Sequence, residues 1–282
     1  MHGLTQQQID ERLTFAAQIA AEAGRRALHL RASGRWQGDT LADVGDQATD
    51  GFLQGFLRGR YPDDGLLSEE TKDSPERLAR RLTWIVDPLD GTREFSTERH
   101  DWAVHVALAC DGVPVLGAVA LPAVQRLMTG CIVDGSLRAQ LDGEGGDWPR
   151  GFASAVDDDP ARPLRLAVSR SHTPDWVQRF ADALGAERGA PCELVPCGSV
   201  GFKVAMLLFG KADIYVHKKG LKEWDTCAPE VVARAAGFTV CRFDGSAQRY
   251  NRPDPRNDEI VVCRPWHKDR VLAKIAAHAP RG

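Results

Sequence analysis

The sequence predicts an α/β protein (α+β layered), in which helices cover β-sheets. Three observations support this class: two helical patterns fill the first 60 residues, an apolar β-branched strand follows, and strands and helices alternate through the second half. The 282 residues are enough for a large core and two subdomains. The stretch 141–163 is rich in Gly, Asp and Pro, so we predict subdomains over 1–155 and 156–282.

The helices and strands of the first half are predicted from the spacing of apolar residues and from capping, proline and turn residues. Thr5 and Gln8 form a capping-box pattern before apolar residues at helical spacing, which predicts a helix over 6–32. A second helix is expected over 46–60, ending before a proline. Apolar, β-branched runs predict the strands, with a turn at Asp111-Gly112 between the last two. These strands are 82–86, 103–109 and 113–121.

The second half alternates between the two periodicities. Short β-branched runs predict strands over 164–168, 212–217, 238–243 and 260–263. Longer segments with helical spacing predict helices over 174–184, 199–210, 226–236 and 267–277.

The charge balance excludes some classes of partner. The chain has 36 Lys and Arg against 39 Asp and Glu, a net charge of −3. Proteins that bind nucleic acids or anionic membranes through charge usually have a basic excess. The longest apolar stretch, 113–124, contains two prolines and is too short to span a bilayer. We therefore expect no nucleic-acid partner and no integral membrane segment.

The cysteines and the first residues predict a cytoplasmic location. The seven cysteines form no C-x-x-C pair and are odd in number, which favours free buried thiols over a zinc site or a disulfide framework. The opening MHGLTQQQIDERL lacks the basic and apolar regions of a secretory signal.

The stretch 84–92, WIVDPLDGT, is the most informative in the chain. A buried strand would place Asp87 at its C-terminal end, where open α/β sheets bind ligands. Pro88 stiffens the turn, so that Asp90 can converge with Asp87 around the Leu89 carbonyl. Carboxylates and carbonyls are the hard oxygen ligands that suit Mg²⁺. Taken alone, the pattern is also typical of a strand end with an aspartate helix cap.

Acidic residues at two further places complete a candidate site. Glu69-Glu70 follows a short apolar run, and Asp225 stands directly before a predicted helix. Alone, the first pair is also typical of a solvated loop and the second residue of a helix cap.

The combination resembles a known family. Glu69-Glu70, D-P-L-D-G-T at 87–92 and W-D-T at 224–226 resemble, in order and spacing, the inositol-monophosphatase-like, lithium-sensitive, Mg²⁺-dependent phosphatases. The resemblance covers nearly the whole chain. It implies an αβαβα sandwich, with most metal ligands in the first subdomain and the substrate-binding residues, with the last ligand, in the second.

The resemblance also implies the metal ligands. Glu69, Asp87 and the Leu89 carbonyl would hold one Mg²⁺, and Asp87 would bridge to a second ion that Asp90 and Asp225 also hold. Some members use a third, weaker ion near Glu69. Two such ions can clamp the attacking and leaving oxygens of an in-line displacement.

The resemblance assigns the proton chemistry to a separate pair. Asp46 with Thr92 would orient and deprotonate the metal-activated water, so Asp46, Thr92 and Glu69 are the expected catalytic residues. Asp46 is also a candidate N-cap of the second helix. None of the eight histidines shows convincing ligand spacing.

The second half looks like the CysQ branch, the 3'(2'),5'-bisphosphate nucleotidases. That branch hydrolyses 3'-phosphoadenosine 5'-phosphate to AMP and phosphate in sulfate assimilation. Basic side chains and the 198–201 amides would bind the second phosphate. The expected substrate contacts are Glu69, Leu89, Asp90, Gly91, Thr92, Ser169, Arg170, His172, Gly198, Ser199, Lys203, Lys222 and Asp225.

Other functions stay open at this stage. An inositol-1-phosphate, fructose-1,6-bisphosphate or histidinol-phosphate phosphatase would use the same metal ligands. Lys218-Lys219 stand where inositol phosphatases often place an acid, which disfavours inositol phosphate. A non-catalytic Mg²⁺/nucleotide sensor is a further alternative, and it is disfavoured because the acidic set is intact. Family members are often homodimers, but no dimer surface is evident in the sequence.

Overall fold

The computed structural model describes residues 3–133, 136–143, 148–153, 162–171 and 173–280. The helices of these residues are α1 (Gln6–Ala32), α2 (Gly38–Arg60), α3 (Thr92–Ser96), α4 (Asp175–Arg188), α5 (Val200–Leu208), α6 (Glu223–Ala235) and α7 (Lys268–His278). The strands are β1 (Gly65–Ser68), β2 (Leu82–Asp90), β3 (Ala103–Cys110), β4 (Val113–Leu121), β5 (Arg126–Val133), β6 (Ser136–Asp142), β7 (Arg165–Ser169), β8 (Glu193–Cys197), β9 (Ile214–Lys218), β10 (Thr239–Cys241) and β11 (Glu259–Cys263).

The strands form two sheets. The first has the order β1-β2-β3-β4-β5-β6, and all its neighbours are antiparallel except β1 and β2. The second has the order β10-β11-β9-β7-β8, in which β7 is parallel to β8 and to β9. A short parallel strand on an antiparallel sheet brings the ends of β1 and β2, which carry Ser68 and Asp90, to the same edge.

Helices and sheets alternate in five layers. Buried residues of α1 and α2, such as Ala20 and Leu53, pack on the outer face of the first sheet. The helices α5 and α6 lie between the two sheets, where Phe202 and Val232 share one core with both. Phe180 of α4 packs with α7 on the outer face of the second sheet. The predicted αβαβα sandwich is confirmed.

Most predicted elements are present, with two changes that concern the site. The helix α1 and its Thr5–Gln8 capping box are confirmed. The helix α2 begins at Gly38 instead of 46, so the interpretation of Asp46 as its N-cap is wrong. The helix α6 begins at Glu223, so Asp225 lies in its first turn instead of before it.

The close contact between α6 and the first sheet depends on Gly117 of β4. A Cβ atom there would lie 2.8 Å from the Ala228 carbonyl oxygen and 2.9 Å from the Ala228 Cα. Strand β4 can therefore approach the α6 backbone closely, which a side chain at this position would prevent. This contact holds the start of α6 near the sheet that carries Asp87.

Other sequence predictions have mixed outcomes. Strands β1, β5, β6 and β8 are not among the predicted elements. All seven cysteines are free, as expected. No helix in the described ranges is long and apolar enough to cross a membrane. The subdomain boundary at 155/156 falls outside the described residues, so the two-subdomain division stays a prediction.

Candidate active site

The end of β2 folds so that two aspartates point to one place. The pairing of β2 with β3 is irregular between Asp87 and Asp90, which lets both leave the normal alternation of a strand. The Leu89 amide donates to Asp87 Oδ1 at 3.1 Å and fixes the turn. Gly91 then adopts a left-handed φ of 93°, and α3 begins at Thr92.

Asp87, Asp90 and His105 form the core of the site. Their ligand atoms lie within 4.8 Å of one another, and all three residues are buried. His105 is the β3 partner of Asp87, and its Nε2 lies 3.1 Å from Asp90 Oδ2. Its Nδ1 lies 3.2 Å from the Trp224 carbonyl oxygen, next to Asp225. The sequence did not predict a role for this histidine, because none of the histidines shows convincing ligand spacing.

Glu69 and Asp225 flank this core, and the four carboxyls act on one another electrostatically. Burial, with the nearby charges of Glu69, Asp90 and Asp225, raises the pKa of Asp87 well above its ordinary value. Burial and Asp90 do the same for Asp225. Glu69 is more open to solvent, yet shielding by the cleft walls and the charges of Glu70 and Asp90 raise its pKa to about 7.

Asp90 is the exception among these acids. Burial alone would raise its pKa, but His105, the Gly201 amide and Lys203 outweigh burial and lower the pKa below its ordinary value. The site therefore contains one stabilised carboxylate among carboxyls that repel one another.

These donors fit a divalent cation. Asp87 Oδ2 is buried and has no hydrogen-bond partner within the described part of the chain. Carboxylates that repel one another around such an atom are the environment in which a divalent cation is favourable, and oxygen donors suit Mg²⁺. The oxygen donors that would hold such a cation come from three places: the end of β2, the start of α6, and Glu69 after β1.

Asp46 reaches the site from the interior of α2. The Thr92 hydroxyl lies 3.5 Å from Asp46 Oδ1 and 3.1 Å from the Leu89 carbonyl oxygen, and can donate to either. Asp46 is buried, and this burial, with the charges of Glu70 and Glu69, raises its pKa to about 8. The structure thus brings Asp46 and Thr92 together beside the acidic residues.

The amides at the start of α5 are occupied by protein groups. The Val200 and Gly201 amides donate to Asp90 Oδ1 and Oδ2 at 3.1 and 2.7 Å. The Gly198 amide donates to Asp101 Oδ2 at 2.7 Å, and the Ser199 amide to the Asp101 carbonyl at 3.1 Å. Because Asp90 and Asp101 already accept these hydrogen bonds, the binding of a substrate anion by the 198–201 amides stays a prediction.

Lys203 also differs from the sequence expectation. It is 3% exposed, and its ammonium donates to the carbonyls of Gly198 and Ser199. Burial lowers its pKa, although Asp90 opposes this. The positive charge therefore lies behind the 198–201 turn instead of facing the cleft.

The remaining predicted contacts are only partly positioned. Arg170 pairs with Asp101 and lies 3.8 Å from Glu94. The Lys222 amide donates to Asp225 Oδ2 at 2.6 Å, and the Ser169 hydroxyl is 3.2 Å from that of Ser171. His172 lies outside the described residues.

Comparison with known proteins identifies the family. A family model described as the inositol monophosphatase family matches residues 5–281. The chain belongs to the inositol monophosphatase family. Members of this family are phosphatases and depend on metal ions, in agreement with the acidic cluster.

Relatives within the inositol monophosphatase family carry more specific names. A Mycobacterium bovis protein named 3'-phosphoadenosine 5'-phosphate phosphatase is 37% identical over 264 residues, which cover 90% of each chain. The 3'(2'),5'-bisphosphate nucleotidase CysQ of Salmonella typhimurium is 31% identical over 219 residues, 77% of this chain and 82% of its own. The crystal structure of CysQ from Bacteroides thetaiotaomicron superposes with a TM-score of 0.76 at 26% identity, covering 90% of this chain and 97% of that one.

Proposed function

We propose that the protein is a Mg²⁺-dependent phosphomonoesterase that hydrolyses 3'-phosphoadenosine 5'-phosphate to AMP and phosphate. The observation that carries this proposal is the 37% identity over 90% of the chain to proteins named for that activity. The acidic site supports it, because Asp87 and Asp90 share a cluster with His105, and Glu69 and Asp225 interact with Asp90 electrostatically. A role in sulfate assimilation and a cytoplasmic location belong to the same proposal, and a homodimer is a further expectation.

In this proposal, five residues hold two Mg²⁺ ions, with a third ion near Glu69. Bound ions would lower the pKa of water and neutralise charge on the phosphate. The chain contributes an ordered set of oxygen donors to them. These donors are the side chains of Glu69, Asp87, Asp90 and Asp225 and the carbonyl of Leu89.

Asp46 and Thr92 would orient the attacking water and accept its proton. The Thr92 oxygen can accept a hydrogen bond from the attacking water while its hydrogen points to Asp46 Oδ1. As the water attacks, the Thr92 hydroxyl would pass its proton to Asp46 Oδ1, 3.5 Å from the hydroxyl oxygen, and would take a proton from the water in its place. Its placement inside α2 keeps this carboxylate rigid, which favours a fixed geometry for the water.

We propose fewer substrate contacts in the second half than the sequence predicts, because some of the predicted residues use their polar groups within the protein. Arg170, Lys222 and Ser169 are partly exposed and remain proposed contacts for the second phosphate. Lys203, Gly198 and Ser199 are better assigned to holding the turn beneath the cleft, since their polar groups are engaged internally. Backbone groups of Gly91 and Thr92 remain proposed phosphate contacts next to the metal ligands.

A substrate panel tests the function. Phosphate release is measured at saturating Mg²⁺ for 3'-phosphoadenosine 5'-phosphate, inositol 1-phosphate, fructose 1,6-bisphosphate and histidinol phosphate. We expect the highest kcat/KM for the nucleotide. A higher value for any sugar or histidinol phosphate would overturn the substrate assignment, while nucleotide binding without turnover would favour the sensor.

A further inference from the structure

Arg77 is a buried arginine that no predicted role includes. Its side chain is 1% exposed. Its Nε and Nη2 donate to the two carboxylate oxygens of Asp73 at 2.6 and 2.7 Å. Its Nη1 donates to Asn251 Oδ1 at 2.7 Å, and Nη2 also donates to the Arg252 carbonyl at 2.9 Å. The Asn251 amide group returns a hydrogen bond to the Arg77 carbonyl at 3.1 Å.

The loop at residues 251–252, which accepts hydrogen bonds from Arg77, is hydrogen-bonded to the start of α6. The backbone amides of Asn251 and Arg252 donate to Glu223 Oε2 and Oε1 at 2.6 and 3.0 Å. Glu223 is fully buried and begins α6, two residues before Asp225. Its own amide donates to the Pro255 carbonyl at 2.8 Å. A shift of this loop would therefore move the first turn of α6 and with it Asp225.

The same guanidinium also holds the segment that carries Glu69. The bidentate pair fixes Asp73, four residues after Glu69. The beginning of this segment is held by Asp50 of α2, which accepts hydrogen bonds from the hydroxyls of Ser68 and Thr71. Glu69 thus lies on a turn that is held at both ends.

We propose that Arg77 is a positioning residue that sets the spacing between Glu69 and Asp225 and thereby the affinity of the site for divalent cations. The inference rests on the proposed metal-dependent function. It goes beyond that function because Arg77 is not a ligand and does not need to touch the substrate.

The chemistry of arginine suits this task. The planar guanidinium binds Asp73 through two parallel hydrogen bonds and still has donors for Asn251 and Arg252. A lysine at 77 keeps the charge but is a point donor, so it cannot hold both partners in one plane. Groups that orient metal ligands typically change affinity by 10–100-fold when they are removed.

The test is direct binding of Mn²⁺, without substrate, to the intact protein by isothermal titration calorimetry. Arg77→Gln should raise the Mn²⁺ Kd by about 10–100-fold, and Arg77→Lys should recover part of the loss. Asn251→Gly cuts the same link with less disturbance, because the φ of 54° at this position suits glycine. At saturating Mg²⁺, the KM for the nucleotide should stay near that of the wild type.

Arg126 provides the matched control. It is 2% exposed and donates to the carbonyls of Trp148 and Pro149, which lie outside the segments that carry Glu69 and Asp225. Arg126→Gln should therefore lower the thermal stability without a comparable change in Mn²⁺ affinity. Equal Mn²⁺ affinities in Arg77→Gln, Asn251→Gly and Arg126→Gln would overturn the inference. Failure of the proposed function would instead be visible in the wild type, as an absence of Mn²⁺ binding or of turnover.

Discussion

Asp90 combines two tasks that usually belong to different residues. Its two oxygens accept the first amides of α5, where a negative charge is favoured by the helix dipole. The same carboxylate faces His105 and stands beside Asp87. A side chain that caps a helix is held rigidly, so Asp90 offers any cation an already ordered ligand.

Asp90→Asn should separate these tasks. The asparagine side chain keeps the shape of the aspartate but loses its charge and one hydrogen-bond acceptor. We therefore expect kcat/KM to fall by about a hundredfold or more. The fold should survive, with a loss of about 1–2 kcal/mol for the impaired amide contacts. Steady-state kinetics and thermal denaturation measure the two effects, with Asp244→Asn on an exposed turn as control. Near-wild-type turnover would contradict a ligand role for Asp90.

His105 should tune the affinity for metal. It connects Asp90 to the Trp224 carbonyl, and a shorter side chain cannot reach both. We expect His105→Asn to shift the Mg²⁺ activation curve to about 10–100-fold higher concentration. His267→Asn, at another buried histidine, should leave the curve in place. Superimposable curves for both variants would show that His105 only fills space.

The acidic residues were accessible to sequence reasoning, but their partners were not. Short motifs contain Asp87, Asp90 and Asp225, and the sequence of each motif alone indicates its chemistry. His105 lies within the apolar run 103–109, and its role depends on being opposite Asp87 in the sheet. Strand register over such a separation is set by tertiary packing, which a single sequence does not display.

At the level of elements, the strands that escaped prediction have weak patterns. Strand β6 is at the edge of its sheet and largely exposed, so it lacks a continuous apolar face. Strand β8 contains Pro196 and is also an edge strand, the place where a sheet tolerates proline. The early start of α2 at Gly38 has a similar cause, because Gln37 gives no side-chain cap to mark it.

The packing of α6 on β4 predicts a stability effect at Gly117. In Gly117→Ala, the new methyl group would meet the Ala228 backbone at 2.8–2.9 Å, so α6 or β4 must move. We expect a loss of about 1–3 kcal/mol in unfolding free energy, measured by urea denaturation. Gly55→Ala is the control, since its Cβ would meet nothing within 4 Å and alanine favours a helix. A Gly117→Ala protein as stable as the wild type would mean that this contact is looser than described.

For the whole molecule, the crowded carboxyls predict a pH dependence of the metal-free protein. Folding raises the pKa of Asp46 from 3.8 to about 8. A carboxyl whose pKa is raised stabilises the fold below its ordinary pKa, and this contribution is lost as pH rises through the raised value. The melting temperature of the metal-free protein should therefore fall between pH 5 and pH 8.

Asp46→Asn isolates the contribution of one group. Because asparagine does not titrate, the decrease in melting temperature from pH 5 to pH 8 should be smaller than in the wild type. Mg²⁺ should raise the melting temperature more at pH 8 than at pH 5, since protons compete with the ion for the carboxylates. Identical pH profiles for the two proteins would exclude Asp46 as a source of the effect.

The position of α6 between the sheets also affects how the protein is made. On the ribosome, the first sheet is complete once β6, Ser136–Asp142, has emerged, but α6, which packs on its inner face beside α5, begins only at Glu223. That interval of about 80 residues corresponds to several seconds of synthesis. During this time the nascent chain exposes the apolar face of a finished sheet, which is when chaperone binding would matter most.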